Sequence, residues 1–281
     1  MTNFICATCG VQFAATDAPP AHCPICEDER QYIGWQGQRW TTLEELRADH
    51  RNEIREEEPG LLGIGTTPSF AIGQRALLVP TPGGNIMWEC VSLIDDESVA
   101  AVRARGGLRA IAISHPHYYS AMVEWSRAFD NAPISIHAAE RRWVLRPDPA
   151  VRFWDGETLD LGDGVTLIRC AGHFAGGQVL HWAGGAEGRG LLLTGDIVNV
   201  VSDRRYVSFM YSFPNLIPLP AASIRRIVDA LEPFAFERIH AAWWGRTVSH
   251  DAKAAVARSA ERYIAAIEGR LPGIRAQFQG E

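Results

Sequence analysis

Cysteine and histidine carry most of the metal-binding capacity of this chain, and their spacing is uneven. Four of the six cysteines lie within the first 26 residues, as Cys6-Ala-Thr-Cys9 and Cys23-Pro-Ile-Cys26. Two C-x2-C pairs set four thiolates on two tight turns, which suits one tetrahedral ion. Two disulfides are the alternative, and a reducing compartment disfavours them. Zinc and iron both accept four thiolates. Structural zinc is the expectation, because so small a segment needs a staple in place of a core. Cys90 and Cys170 sit in apolar runs and are expected to be plain buried thiols. A second set begins where the run Leu-Arg-Ala-Ile-Ala-Ile-Ser meets His115-Pro116-His117. In extended chain, residues two apart share a face, so both imidazoles can converge on one ion.

An H-x-H pair alone is weak, but the chain repeats the device. A candidate strand over 165–170 runs into Ala171-Gly172-His173, and another over 191–194 runs into Gly195-Asp196. Three strand ends thus offer imidazole or carboxylate in turns where Gly or Pro lets the backbone approach closely. Further candidate strands are 75–79, 108–114, 134–137, 179–182 and 238–242. Candidate helices are 121–129, 221–231 and 252–268, the last two with apolar residues at helical spacing. Thr42-Leu43-Glu44-Glu45 reads as a capping box opening a charged helix that ends at Glu56-Glu57-Glu58-Pro59-Gly60. Ser120 is expected to cap the helix after it. The division that follows is a metal-ribbon module over 1–40, a charged connector over 41–59 and a large domain over 60–281.

Composition narrows the function. Of 281 residues, 47% are hydrophobic and 21% charged, enough apolar matter for a proper core. No run approaches the roughly 18 apolar residues of a membrane helix, and the first residues do not read as a signal peptide, so a cytoplasmic protein is expected. The formal charge is −6 and Lys253 is the only lysine. Arginine is scattered, with nothing resembling a phosphate-binding stripe, so a small-molecule substrate is expected and nucleic acid and membrane are not. Oligomeric state is not written in the pattern.

The segment from Phe4 to Tyr32 resembles the rubredoxin-like knuckle pair of rubrerythrins and zinc ribbons, which implies Cys6, Cys9, Cys23 and Cys26 as ligands. Residues 60–281 resemble the metallo-β-lactamase superfamily. Its H-x-H-x-D-H motif falls on His115-Pro116-His117-Tyr118-Tyr119-Ser120, its G-H-x-x-G motif on Gly172-His173-Phe174-Ala175-Gly176, and its strand-ending Gly-Asp on Gly195-Asp196. The implied fold is α/β, an αββα sandwich with metal at one edge. Tyr119 and Ser120 replace two ligands of the family's second metal, and neither is a usual zinc ligand. Alignment on Gly245 puts Trp244 in the slot of the last family histidine and leaves His240 inside a strand. Alignment on histidine would make His240 a ligand instead.

What remains is a one-metal site of His115, His117 and His173, with Asp196 as fourth ligand or as partner of a coordinated water. Neutral imidazoles leave the charge of the ion uncompensated, so that water can reach a pKa of about 7. Asp196 would orient it or accept its proton. Tyr119 would wall the pocket or donate a hydrogen bond to substrate. A metal-dependent hydrolase of a small ester, thioester, lactone or amide is the leading expectation. The alternatives are a non-haem iron redox enzyme fed by the rubredoxin-like module, a nucleic-acid-processing protein, and a binding scaffold with a degenerate site.

Overall fold

The computed structural model describes residues 1–273, which fall into two compact units, Met1–Asp155 and the residues from Gly156 onward. The first unit is built on a seven-stranded sheet whose spatial order follows the chain: Arg51–Glu58, Leu61–Thr67, Arg75–Val79, Asn85–Trp88, Leu108–Ala112, Ile134–His137 and Val151–Trp154. The first four strands pair antiparallel and the rest parallel. Parallel neighbours need a crossover. The helices Asp96–Arg103 and Met122–Ala128 supply two of them. Every residue of Arg75–Val79, Asn85–Trp88 and Ile134–His137 is buried, as befits central strands.

The charged segment departs from expectation. The capping box is present, with the Thr42 N–H donating to Glu45 Oε2 at 2.9 Å and the Glu45 N–H to Thr42 Oγ1 at 3.2 Å. The helix it opens is short, Leu43–Asp49. Arg51–Glu58 is the edge strand of the sheet and pairs with Leu61–Thr67. Charge along an edge strand blunts its unpaired side, and a waiting partner strand outweighs poor strand propensity. Asn52 anchors the strand, its Nδ2 donating to the Leu93 carbonyl at 3.1 Å and Ser98 Oγ at 3.0 Å. Residues 51–58 therefore belong to the sheet and not to a connector.

The cysteine segment is tied to this unit. Ile5–Cys6 pairs with Trp40–Thr41, and Ile5 packs with Leu46 and Leu93. The Gln12 N–H donates to the Ser120 carbonyl at 3.1 Å, the Ala14 N–H to the Leu145 carbonyl at 3.1 Å, and Ser92 Oγ to the Gly10 carbonyl at 2.7 Å. Gly10 has φ +79°, and a Cβ there would lie 2.5 Å from Ser92 Oγ, so this contact requires glycine.

The second unit holds a six-stranded sheet in the order Thr158–Gly162, Val165–Arg169, Gln178–Trp182, Leu191–Leu193, Arg238–His240 and Thr247–Val248. Helices Ala221–Leu231 and Ala252–Ile267 bury Ile224, Ile227 and Val256 in one core with Ile168, Val179 and Leu192. The expected helix over 221–231 and strand over 134–137 match to the residue. No helix among the described residues is long and apolar enough to cross a membrane.

Candidate metal centre

The four N-terminal thiols are buried and clustered, with Cys6 Sγ 3.5 Å from Cys26 Sγ and Cys9 Sγ 3.7 Å from Cys23 Sγ. Tetrahedral coordination with metal–sulfur bonds of about 2.3 Å gives sulfur–sulfur edges of about 3.8 Å, so the cluster fits such an ion. No cysteine is in a disulfide. Gln38 Nε2 donates to Cys6 Sγ at 3.1 Å, an outer hydrogen bond of the kind that steadies a metal-bound thiolate. Cys90 and Cys170 are buried, and burial pushes both thiols up, Cys170 to about 12.

In the first unit the strand Leu108–Ala112 ends before the H-x-H motif, earlier than expected. His115 is still extended, at φ −169° and ψ 178°, but Pro116–Tyr118 form a 3-10 turn. Proline suits the first position of a helical turn. Turning, and not strand alternation, therefore brings the imidazoles together. Their ring centres lie 5.0 Å apart, with ligand-capable nitrogens within 4.8 Å. His115 Nδ1 shares a 2.8 Å hydrogen bond with Ser114 Oγ, and the Ser114 N–H donates to the buried Glu89 carboxylate at 3.0 Å. Sequence reasoning missed both supports, because a lone Ser and a lone Glu carry no spacing signal.

Tyr119 is buried, and its hydroxyl has no hydrogen-bond partner among the described residues. Burial, with the charges of Glu140 and Glu89, pushes the phenol well up, so it stays neutral. Ser120 does not cap the helix. It has φ +46°, its Oγ accepts from Gln74 Nε2 at 3.0 Å, and its carbonyl is held by Gln12 of the cysteine segment. Asp28 of that segment is paired with Arg30. Burial pushes the Asp28 carboxyl up, but the bidentate Arg30 guanidinium outweighs this and holds it below its usual range, with a smaller contribution from His117.

In the second unit His173 follows Gly172, whose φ is +84° and whose Cβ would meet Leu219 at 3.0 Å and Ile227 at 3.1 Å. This close approach to the core requires glycine before His173. His173 Nδ1 lies 3.2 Å from the Met210 carbonyl. A carbonyl only accepts, so Nδ1 carries the proton and Nε2 keeps its lone pair. Nε2 is 4.0 Å from Asp196 Oδ2, and both residues are buried. The 201–220 segment has two roles. Val207 and Phe209 are core, while Met210 orients His173 and the Phe213 ring lies 5.9 Å from its imidazole. His240 lies in a strand, its Nδ1 sharing a 3.1 Å hydrogen bond with Thr247 Oγ1, and Trp244 is half-buried beyond it.

The fold is that of the metallo-β-lactamases. The structure of DIM-1 metallo-β-lactamase matches with a TM-score of 0.57 at 12% identity, covering 77% of this chain and 98% of that one. VMB-1 matches with a TM-score of 0.58 at 11% identity, covering 77% and 98%. No protein-family model matches the chain. The uncharacterized protein YmaE of Bacillus subtilis is 50% identical over 273 residues, which is 96% of this chain and 99% of YmaE. The chain belongs to the YmaE family.

Proposed function

We propose that the protein is a metal-dependent hydrolase of a small ester, thioester, lactone or amide, with His115, His117, His173 and Asp196 holding one ion. The observation that carries this reading is the paired orientation of two buried histidines. His115 is engaged at Nδ1 by Ser114, and His173 at Nδ1 by the Met210 carbonyl, so each keeps Nε2 as its ligand atom. Three imidazoles and a carboxylate are a donor set that zinc accepts, and Tyr119 and Ser120 leave no ligands for a second ion. When bound, a divalent ion at such a set lowers the pKa of a coordinated water to about 7 and polarises an acyl carbonyl. In this reading Asp196 would accept a proton at its carboxylate oxygens, and Tyr119, as a neutral phenol, would donate one. Phe213 gives the His173 side an apolar wall that favours the body of an acyl substrate. Zinc in the cysteine cluster completes the reading as a structural ion.

The test is elemental analysis of protein purified without added metal, together with hydrolysis of an ester, thioester and lactone panel on the same samples. Zinc with turnover supports the reading. Red protein carrying iron, inert on the panel, turns it toward redox chemistry, and fully zinc-loaded protein inert on every substrate turns it toward a binding scaffold.

A further inference from the structure

The second unit gathers positive charge that the sequence leaves scattered. Asn199–Val200 and Val207–Ser208 form a hairpin whose loop carries Asp203, Arg204 and Arg205. Arg258 and Arg262, one turn apart on the helix Ala252–Ile267, face the same loop. Around the half-buried ring of Tyr206 stand three guanidinium groups, Arg262 at 4.4 Å, Arg205 at 5.7 Å and Arg258 at 5.9 Å from its centre. Asp203 forms a bidentate pair with Arg205, at 2.6 Å for Nη2 to Oδ2, and its single charge also acts, more weakly, on Arg262. Neither Arg258 nor Arg262 has a carboxylate within 4.0 Å among the described residues.

The cluster is also held in place. Arg258 Nε donates to the Arg205 carbonyl at 3.0 Å. The Val207 N–H donates to Ser259 Oγ at 3.0 Å, and Ser259 Oγ donates to the Ala255 carbonyl at 2.6 Å, which fastens hairpin to helix. Beside the cluster lies a cavity of about 300 Å³ lined by Tyr206, Val207, Tyr263, Ala266, Leu271 and Arg262. Three guanidinium groups share the one carboxylate of Asp203, so net positive charge remains on this face of a chain of net charge −6 until an anion relieves it. Fixing them beforehand lowers the entropy an anion must overcome.

We propose that this face binds an organic phosphate, with the phosphate on Arg258 and Arg262 and its apolar body in the adjoining cavity. Guanidinium groups match phosphate oxygens in charge and fork geometry, and the cavity volume is at the small end of ligand sites. The bound anion would stand behind the segment that orients His173, because the cavity wall residue Tyr263 donates to Met210 Sδ at 3.0 Å and the Met210 carbonyl holds His173. The site does not depend on the hydrolase reading.

The experiment is calorimetric titration of the full chain with phenylphosphonate, whose carbon–phosphorus bond resists hydrolysis, and separately with inorganic phosphate. Saturable 1:1 binding of phenylphosphonate is expected, about tenfold tighter than inorganic phosphate and weakened by added salt. The Arg258→Ala/Arg262→Ala double variant should lose at least about tenfold in affinity while keeping the wild-type circular dichroism. Arg262→Ala alone, at an exposed position, serves if the double variant does not fold. The His115→Ala variant should bind as the wild type does. Absence of saturation, equal affinity for the two probes, or binding lost in His115→Ala and kept in the arginine variants overturns the proposal, the last by placing the anion on the metal.

Discussion

His173 is held at Nδ1 by a main-chain carbonyl, whereas His115 is held at Nδ1 by a side chain, Ser114, which mutation can remove. His115→Ala and His173→Ala are each expected to lose the ion of the large site and all hydrolysis above background, because they delete ligand atoms. Ser114→Ala keeps every ligand and should weaken the metal by about 10–100-fold, the usual cost of an outer partner. Tyr119→Phe should keep the ion and lower turnover by less than about tenfold, since the phenol is neutral and can only assist a proton transfer. Metal content and activity read on the same samples check all four variants. Loss of the ion from Tyr119→Phe would make the phenol a ligand and break the donor set proposed.

At the scale of elements, the cysteine segment clamps the chain that follows the H-x-H turn. It holds the Ser120 carbonyl through Gln12 and the Ser92 hydroxyl through Gly10. A four-thiolate ion links metal binding to folding of such a segment. Cys23→Ser is therefore expected to raise hydrogen exchange over residues 1–40 and also at Met122 and Trp125, whose N–H groups donate to the Tyr119 and Ala121 carbonyls on either side of Ser120, while strands Val165–Arg169 and Gln178–Trp182 stay protected. Unchanged exchange at Met122 and Trp125 would show that the clamp is idle. His181, within Gln178–Trp182, offers a second test. Burial holds its pKa below 6.5, against the opposing effect of the Ala235 carbonyl that accepts from Nε2 at 2.7 Å. The unfolded chain then binds the proton more readily, so this contribution is intact above pH 6.5 and is lost as pH falls below it. Urea midpoints measured at about pH 7 and about pH 5.5 should fall further for the wild type than for His181→Phe.

For the molecule as a whole, the ligand inventory predicts two ions per chain, one on the cysteines and one on the histidine–aspartate set. Both sets are buried, and the described residues contain no further cluster of this kind. Elemental analysis returning three ions would bring His240 or Tyr119 back as ligands. Distributed charge matters at the same scale. A net charge of −6 says nothing of local fields, and the guanidinium cluster about Tyr206 shows how a mostly acidic chain can present a cationic face.

The ligand types and their loops were legible in the chain because metal chemistry restricts itself to a few side chains, and strands must end before such side chains can turn toward an ion. The H-x-H, Gly-His and Gly-Asp motifs lie just beyond strand ends, close to where the pattern put them, whereas Cys6 closes the strand Ile5–Cys6 and Cys26 sits in the short helix Pro24–Glu27. Contacts between residues far apart in sequence were not legible. The edge strand Arg51–Glu58 reads as charged helix until Leu61–Thr67 supplies a partner. The convergence of His115 and His117 comes from a 3-10 turn and not from strand alternation. Glu89, Ser114 and Met210 carry no motif, yet they hold the ligands or the backbone beside them. Arg205 and Arg258 lie 53 positions apart, and a hairpin docked on a helix makes them neighbours. Side-chain type and strand period act locally and can be read along the chain, whereas partner strands, turn closure and charge clustering depend on which distant segments fold against each other.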